Sequence, residues 1–149
     1  MKFLLTIVLF VAMNAPAFCQ RDSGIFLTTQ CAKRSEKQTV MLSNKQVCLA
    51  ANPIILPADF NSLTDVQVIG DKIWFDLTLS ANAIQKLMQL SSSLPNSTFA
   101  LVVDQDVFYT FPASDIQVGR TFRFQATGKD KSTFADMQRR LKALIDSRG

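Results

Sequence analysis

The 149-residue chain carries 16 basic and 12 acidic side chains, a formal net charge of +4, and no histidine. So mild a positive balance, with no basic cluster interleaved with aromatics, argues against nucleic acid as a partner. With no histidine and with Glu36 as the single glutamate, the usual nucleophile and base pairs of an enzyme cannot be assembled.

Met1-Lys2, the apolar run at 3–13 and the small residues around Ala15-Pro16-Ala17 have the form of a signal peptide. The mature protein is therefore expected outside the cytoplasm, periplasmic or secreted. Cleavage after Ala17 or after Cys19 fits the small-residue rule, and the second leaves Gln20 as the new end. Lipoprotein anchoring through Cys19 is disfavoured, because Phe18 stands where a small residue is required. Cleavage after Cys19 leaves an even pair, Cys31 and Cys48, which in an oxidising compartment predicts one disulfide. Metal binding finds no ligand set, since the two cysteines lie far outside short zinc-site spacing and histidine is absent; no cofactor is expected. Removing the leader also removes Lys2, leaving 15 basic against 12 acidic residues, and about 130 residues are enough for one domain with a core. Beyond residue 20 no stretch approaches the roughly 20 apolar residues of a membrane span.

The expected organisation is a leader over 1–19, a β-rich segment over 20–62 packed on the domain, and an α+β unit over 63–149. In the middle segment, 39–42 and 46–49 read as strands around Ser43-Asn44-Lys45. Gly70-Asp71 then suits a two-residue II′ turn. After it Ile73, Phe75, Leu77 and Leu79 alternate with Lys72, Trp74, Asp76 and Thr78, the period of a strand with one buried face. Ser80 predicts a helix N-cap, with Ile84, Leu87, Met88 and Ser91 on one face behind it, and the run from Ser91 to Asn96 ends the helix. Residues 99–103 and 107–111 predict a second hairpin around Asp104-Gln105-Asp106, whose turn lacks a glycine for positive φ. After Pro112 and a loop containing Gly119, residues 121–126 alternate, Phe122 and Phe124 inward, Arg123 and Gln125 outward. Gly128 ends that strand. Asp130 is the expected cap of a last helix carrying Phe134, Met137, Leu141, Leu144 and Ile145 on one stripe, with Lys131, Arg139, Arg140 and Lys142 on its solvated face.

The order Leu63-Thr64-Asp65-Val66, the run at 75–91 (FDLTLSANAIQKLMQLS), Ala100-Leu101-Val102-Val103-Asp104 with Val107, and Ile116, Gly119, Phe124 and Gly128 before the last helix resembles the periplasmic head domain of the SecD/SecDF preprotein translocase subunit. The resemblance covers 63–145, just over half the chain. It departs from the family where Asp104-Gln105 replaces Asp-Gly, where Ala83-Ile84 replaces Gly-Ala, and where Pro112 stands one place late. It implies an α+β, ferredoxin-like head with a mainly antiparallel sheet and two amphipathic helices on one face. It also implies a non-catalytic role in contacting extended preprotein segments, and it brings no catalytic residues.

The residues themselves suggest where such contact occurs. With Ile73, Phe75 and Leu77 facing the helices, Trp74 points the other way. If Asp104 opposes Val107, then Ala100, Val102, Tyr109 and Phe111 share one face. Trp74, Tyr109, Phe111 and Arg123 would then form an aromatic patch with a cationic edge, able to take an unfolded polypeptide by side-chain docking or by strand addition. The alternative is that residues 25–56 cover this face as ordinary core. The expected partner is an unfolded or extended polypeptide, or an envelope protein; a structural accessory role in an envelope complex and a small secreted hydrolase are the other classes. For the hydrolase, the close pairs Asp104/Asp106 and Asp71/Asp76 are the candidate carboxylates, although both sit where turns favour aspartate.

Overall fold

The computed structural model describes residues 23–116 and 121–148; the expected leader, the cleavage sites around Cys19 and the loop glycine Gly119 lie outside them. The class is α+β, as the alternating and helical periods predict. Its strands are divided between two antiparallel sheets, a partition that the alternation along any one strand does not encode.

The first sheet has the order β2 (Gln38–Thr39), β3 (Gln46–Leu49), β1 (Gly24–Thr29), β7 (Thr98–Val103), β8 (Asp106–Pro112). β2 is shorter than expected because the N–H groups of Met41 and Leu42 leave the hairpin and donate to Val107 and Phe108 C=O, at 2.9 and 3.4 Å. That return to the far edge curls the sheet around a small core of Phe26, Val40, Leu49, Ala100, Val102 and Val107. Residues of the segment before 56 therefore cover the Ala100/Val102 face. Cys31 and Cys48 are joined by the expected disulfide, with Cα atoms 5.3 Å apart.

In the second sheet β6 (Lys72–Leu79) is central. It pairs from Lys72 to Thr78 with β9 (Thr121–Thr127) and on its other side with β4 (Phe60–Leu63) and β5 (Gln67–Ile69). The turn before β6 has positive φ at Gly70 alone, +59°, which matches the II′ expectation.

The main core lies between the inner faces of the two sheets and two helices. α1 (Ala81–Ser93) is capped as predicted: Ser80 Oγ accepts from Ala83 N–H at 3.1 Å and donates to Asp59 Oδ1 at 2.7 Å. Its buried residues are Ala83, Ile84 and Leu87, whereas Met88 is exposed, because the stripe is narrower than its apolar residues. α2 (Lys131–Asp146) buries Phe134, Met137 and Leu141 as expected, and its Phe134 ring centroid stands 4.8 Å from that of Phe75. Asp130 occupies the N-cap position without a side-chain bond, since a 3-10 turn, Gly128–Asp130, leads into the helix instead.

Candidate functional site

The second hairpin decides where the expected patch residues go. Asp104 and Gln105 form its turn with φ of +48° and +74°; aspartate tolerates this region better than most residues. Val103 thus opposes Asp106 and Val102 opposes Val107. The register then shifts, with Leu101 opposite Tyr109 and Phe99 opposite Phe111. Phe108 is the extra residue of a β-bulge, and a bulge reverses the facing of the residues after it. Tyr109 and Phe111 consequently share a face with Leu101 and Phe99, not with Ala100 and Val102 as a regular ladder would have it.

Their rings meet the inner side of β9. Tyr109 stands edge-on to Phe124 at 5.3 Å between centroids, and Phe111 lies 5.7 Å from Phe122. Trp74 and Arg123 belong to the outer face of the same sheet, opposite Gln125 and Asp76 respectively. Arg123 donates from Nε to Asp76 Oδ1 at 2.8 Å and from a terminal nitrogen to Oδ2 at 2.9 Å, and its guanidinium carbon is 5.5 Å from the Trp74 ring centroid. The four residues therefore do not form one flat patch.

Three of them do line one groove. Tyr109, Phe111 and Arg123 border a cavity of about 350 Å³ with Asp115, Thr121 and Phe122. A second cavity of about 330 Å³ adjoins it, between Gln125–Thr127 on one side and Tyr109, Thr110 and the turn at 40–45 on the other. Tyr109 and Gln125 border both, so one trough runs the length of β9 with aromatic rings along its floor. Partial burial and the charge of Asp115 raise the Tyr109 phenol above its usual pKa, which keeps it a neutral hydrogen-bonding group at neutral pH.

The β9 side of the trough is a strand edge whose polarity can be assigned. Asp76 N–H donates to Thr64 Oγ1 at 2.8 Å, and Asp76 C=O accepts from Thr64 N–H at 2.9 Å. The main chain of Asp76 thus points away from β9, and in an antiparallel ladder the opposite residue then points away as well. Opposite Asp76 is Arg123. Arg123, and with it Thr121, Gln125 and Thr127 at the two-residue period, turn N–H and C=O toward the trough. Phe122, Phe124 and Ala126 bond to β6. Among the described residues those outward groups have no backbone partner.

A group that periodicity did not reveal lies nearby. Arg140, assigned to a solvated face, is only 22% exposed in its side chain. It donates to Asp104 Oδ2 (3.2 Å), Asp106 Oδ2 (2.9 Å) and Val103 C=O (3.0 Å), and stands 4.8 Å from the Phe108 ring centroid. Both carboxylates of that candidate pair thereby serve to fix α2 to the hairpin turn. In the other pair, Asp76 is taken by Arg123. Among the described residues no cluster of three metal-ligating side chains occurs, and no helix is long and apolar enough to cross a membrane.

A crystal structure of SecDF in its super-membrane-facing form matches this chain with a TM-score of 0.51 and 12% identity, over 87% of this chain and 19% of that one. The two have a similar fold. The chain thus corresponds to a small part of the SecDF chain's length. No family profile matches the sequence, and no curated protein matches it. The disulfide fits an exported protein.

Proposed function

We propose that this is an extracytoplasmic, non-catalytic domain that binds extended polypeptide, and that it serves protein export as an accessory to a machinery of the SecDF kind. The trough carries the reading. It joins an aromatic floor, Tyr109 and Phe111, to a strand edge whose main-chain groups have no backbone partner among the described residues, and this combination suits a chain lacking tertiary structure. The fold likeness to part of SecDF supports the same reading, with the matched part taken as its preprotein-contacting head. Export is supported by the leader-like first residues and by the disulfide. Of the charged groups at the trough, Arg123 is held by Asp76, and Asp115 is exposed in its lining.

The test is titration of a permanently unfolded model polypeptide into the oxidised protein, monitored by calorimetry and by emission of Trp74, the only tryptophan. A ligand in the trough displaces or orders Arg123, which lies between it and the indole. Binding with a change in Trp74 emission, weakened by Tyr109→Ala, is the expected result. Absence of binding at millimolar polypeptide would remove the proposal and leave a structural role in an envelope complex.

A further inference from the structure

Resting on the reading of the trough as a polypeptide site, we infer that it takes its ligand as an added β-strand: one extended segment of alternating apolar and polar residues, antiparallel to β9 and bonded to Thr121, Arg123, Gln125 and Thr127. β9 has seven residues, a length of roughly 23 Å at strand rise, and the two cavities border it from Thr121 to Thr127. Four residues turn both main-chain groups outward, as the bonds between Thr64 and Asp76 require. An antiparallel guest answers these groups with its own at every second residue.

The facing of the side chains sets the chemistry of the guest. Guest residues opposite Arg123 and Gln125 place their side chains on the outer, solvated face beside them. The intervening guest residues face the floor, over half-buried Tyr109 beside buried Phe111, a surface that suits apolar, β-branched side chains. A guest carboxylate on the floor side would be desolvated beside the charge of Asp115, which already reaches Tyr109. β8 and the 40–45 turn stand across from β9 as the opposite wall. The occupant inferred is a single chain, because a second copy would have to bring its own opposite wall with its β9.

The probe is a capped, lysine-tailed peptide alternating valine and threonine, in three forms: unmodified, N-methylated at the threonines, and N-methylated at the valines. With valines on the floor, the threonine N–H groups face β9 and the valine N–H groups face away. Threonine methylation is expected to weaken binding at least tenfold, and valine methylation less than threefold. Gln125→Pro removes one outward donor without touching the bonds of Phe122, Phe124 and Ala126 to β6, and proline is tolerated where a strand's N–H faces outward. It should weaken binding at least tenfold, and more than Gln125→Ala, which keeps the main-chain donor. If Gln125→Pro fails to fold, the methylated peptides decide on the parent protein. Equal binding of all three peptides means docking by side chains, which overturns strand addition and leaves the polypeptide reading standing; equal loss in both methylated forms overturns single-edge pairing. No binding of any peptide or unfolded polypeptide removes both. Concentration-dependent dimers abolished by Gln125→Pro would assign the edge to a second copy and overturn the inference.

Discussion

Asp76 grips Arg123 across the β6–β9 pair through two near-parallel hydrogen bonds, and in doing so holds the guanidinium against Trp74. The bonds from Arg123 lower the Asp76 pKa below its usual range, against a smaller opposing effect of burial. A depressed carboxylate stabilises the folded state above its unfolded pKa, and that contribution is lost as pH falls through the lower folded value. Trp74 emission should therefore titrate in the acid range, with a midpoint below that of an ordinary aspartate. In Asp76→Asn the transition should be absent. A midpoint at or above the ordinary aspartate value would contradict the pairing.

The two neighbouring arginines of α2 should behave differently. Arg140→Ala cuts three hydrogen bonds and uncovers the Phe108 ring, and is expected to cost roughly 1 to 3 kcal/mol, reduced toward the lower end because both carboxylates are half exposed. Arg139, 78% exposed and paired with Asp136 within its own helix, should be nearly neutral when replaced by Ala. Urea denaturation of the two variants makes the comparison.

Phe75 and Trp74 offer a similar contrast across one strand. Phe75 is fully buried against Phe124 and Phe134, so Phe75→Ala should cost roughly 3 to 5 kcal/mol. Trp74 is half exposed on the outer face, and Trp74→Ala should cost a small fraction of that, as thermal melts will show.

The Cys31–Cys48 bridge closes a separation of 17 residues, for which chain entropy gives roughly 3 kcal/mol of stabilisation. Reduction should lower the denaturation midpoint accordingly. Non-reducing peptide mapping should recover the two cysteines in one linked fragment, and two alkylatable thiols in protein isolated without reductant would count against it.

Among the described glycines Gly24 is the least open to change. Its φ is +151°, and an added Cβ would meet the carbonyl oxygen of Ile55 at 2.4 Å. Gly24→Ala should destabilise by about 2 kcal/mol or more, read by chemical denaturation. Gly70→Ala meets no neighbouring atom and should carry the cost of positive φ alone.

Much of the fold was legible because the informative signals are local. Alternation at 72–79 identifies the buried face of β6, Ser80 announces its cap, and the even cysteine pair predicts the bridge. The site was less legible. Nothing in Val107-Phe108-Tyr109 distinguishes a bulged strand from a regular one, since all three favour β-structure, yet the bulge at Phe108 decides which way Tyr109 and Phe111 face. Arg140 looks like its basic neighbours in sequence; its partners are supplied by a hairpin more than thirty residues earlier. That β9 has no second strand neighbour among the described residues is a property of the whole topology, to which its own seven residues give no clue.

The place of β1 in the first sheet has a temporal consequence. It lies between β3 and β7, with Gly24 opposite Val102 and Thr28 Oγ1 donating to Thr98 C=O. The strand nearest the beginning of the described chain thus cannot find its main partner until residues far downstream have been made. Contacts of such long sequence separation close slowly. Synthesis will therefore leave the first sheet open for most of its course, and residues 24–29 will spend that interval without β7 as a partner. A chain halted before Val103 should remain unfolded over this segment and sensitive to protease there, and should become resistant once β7 is complete.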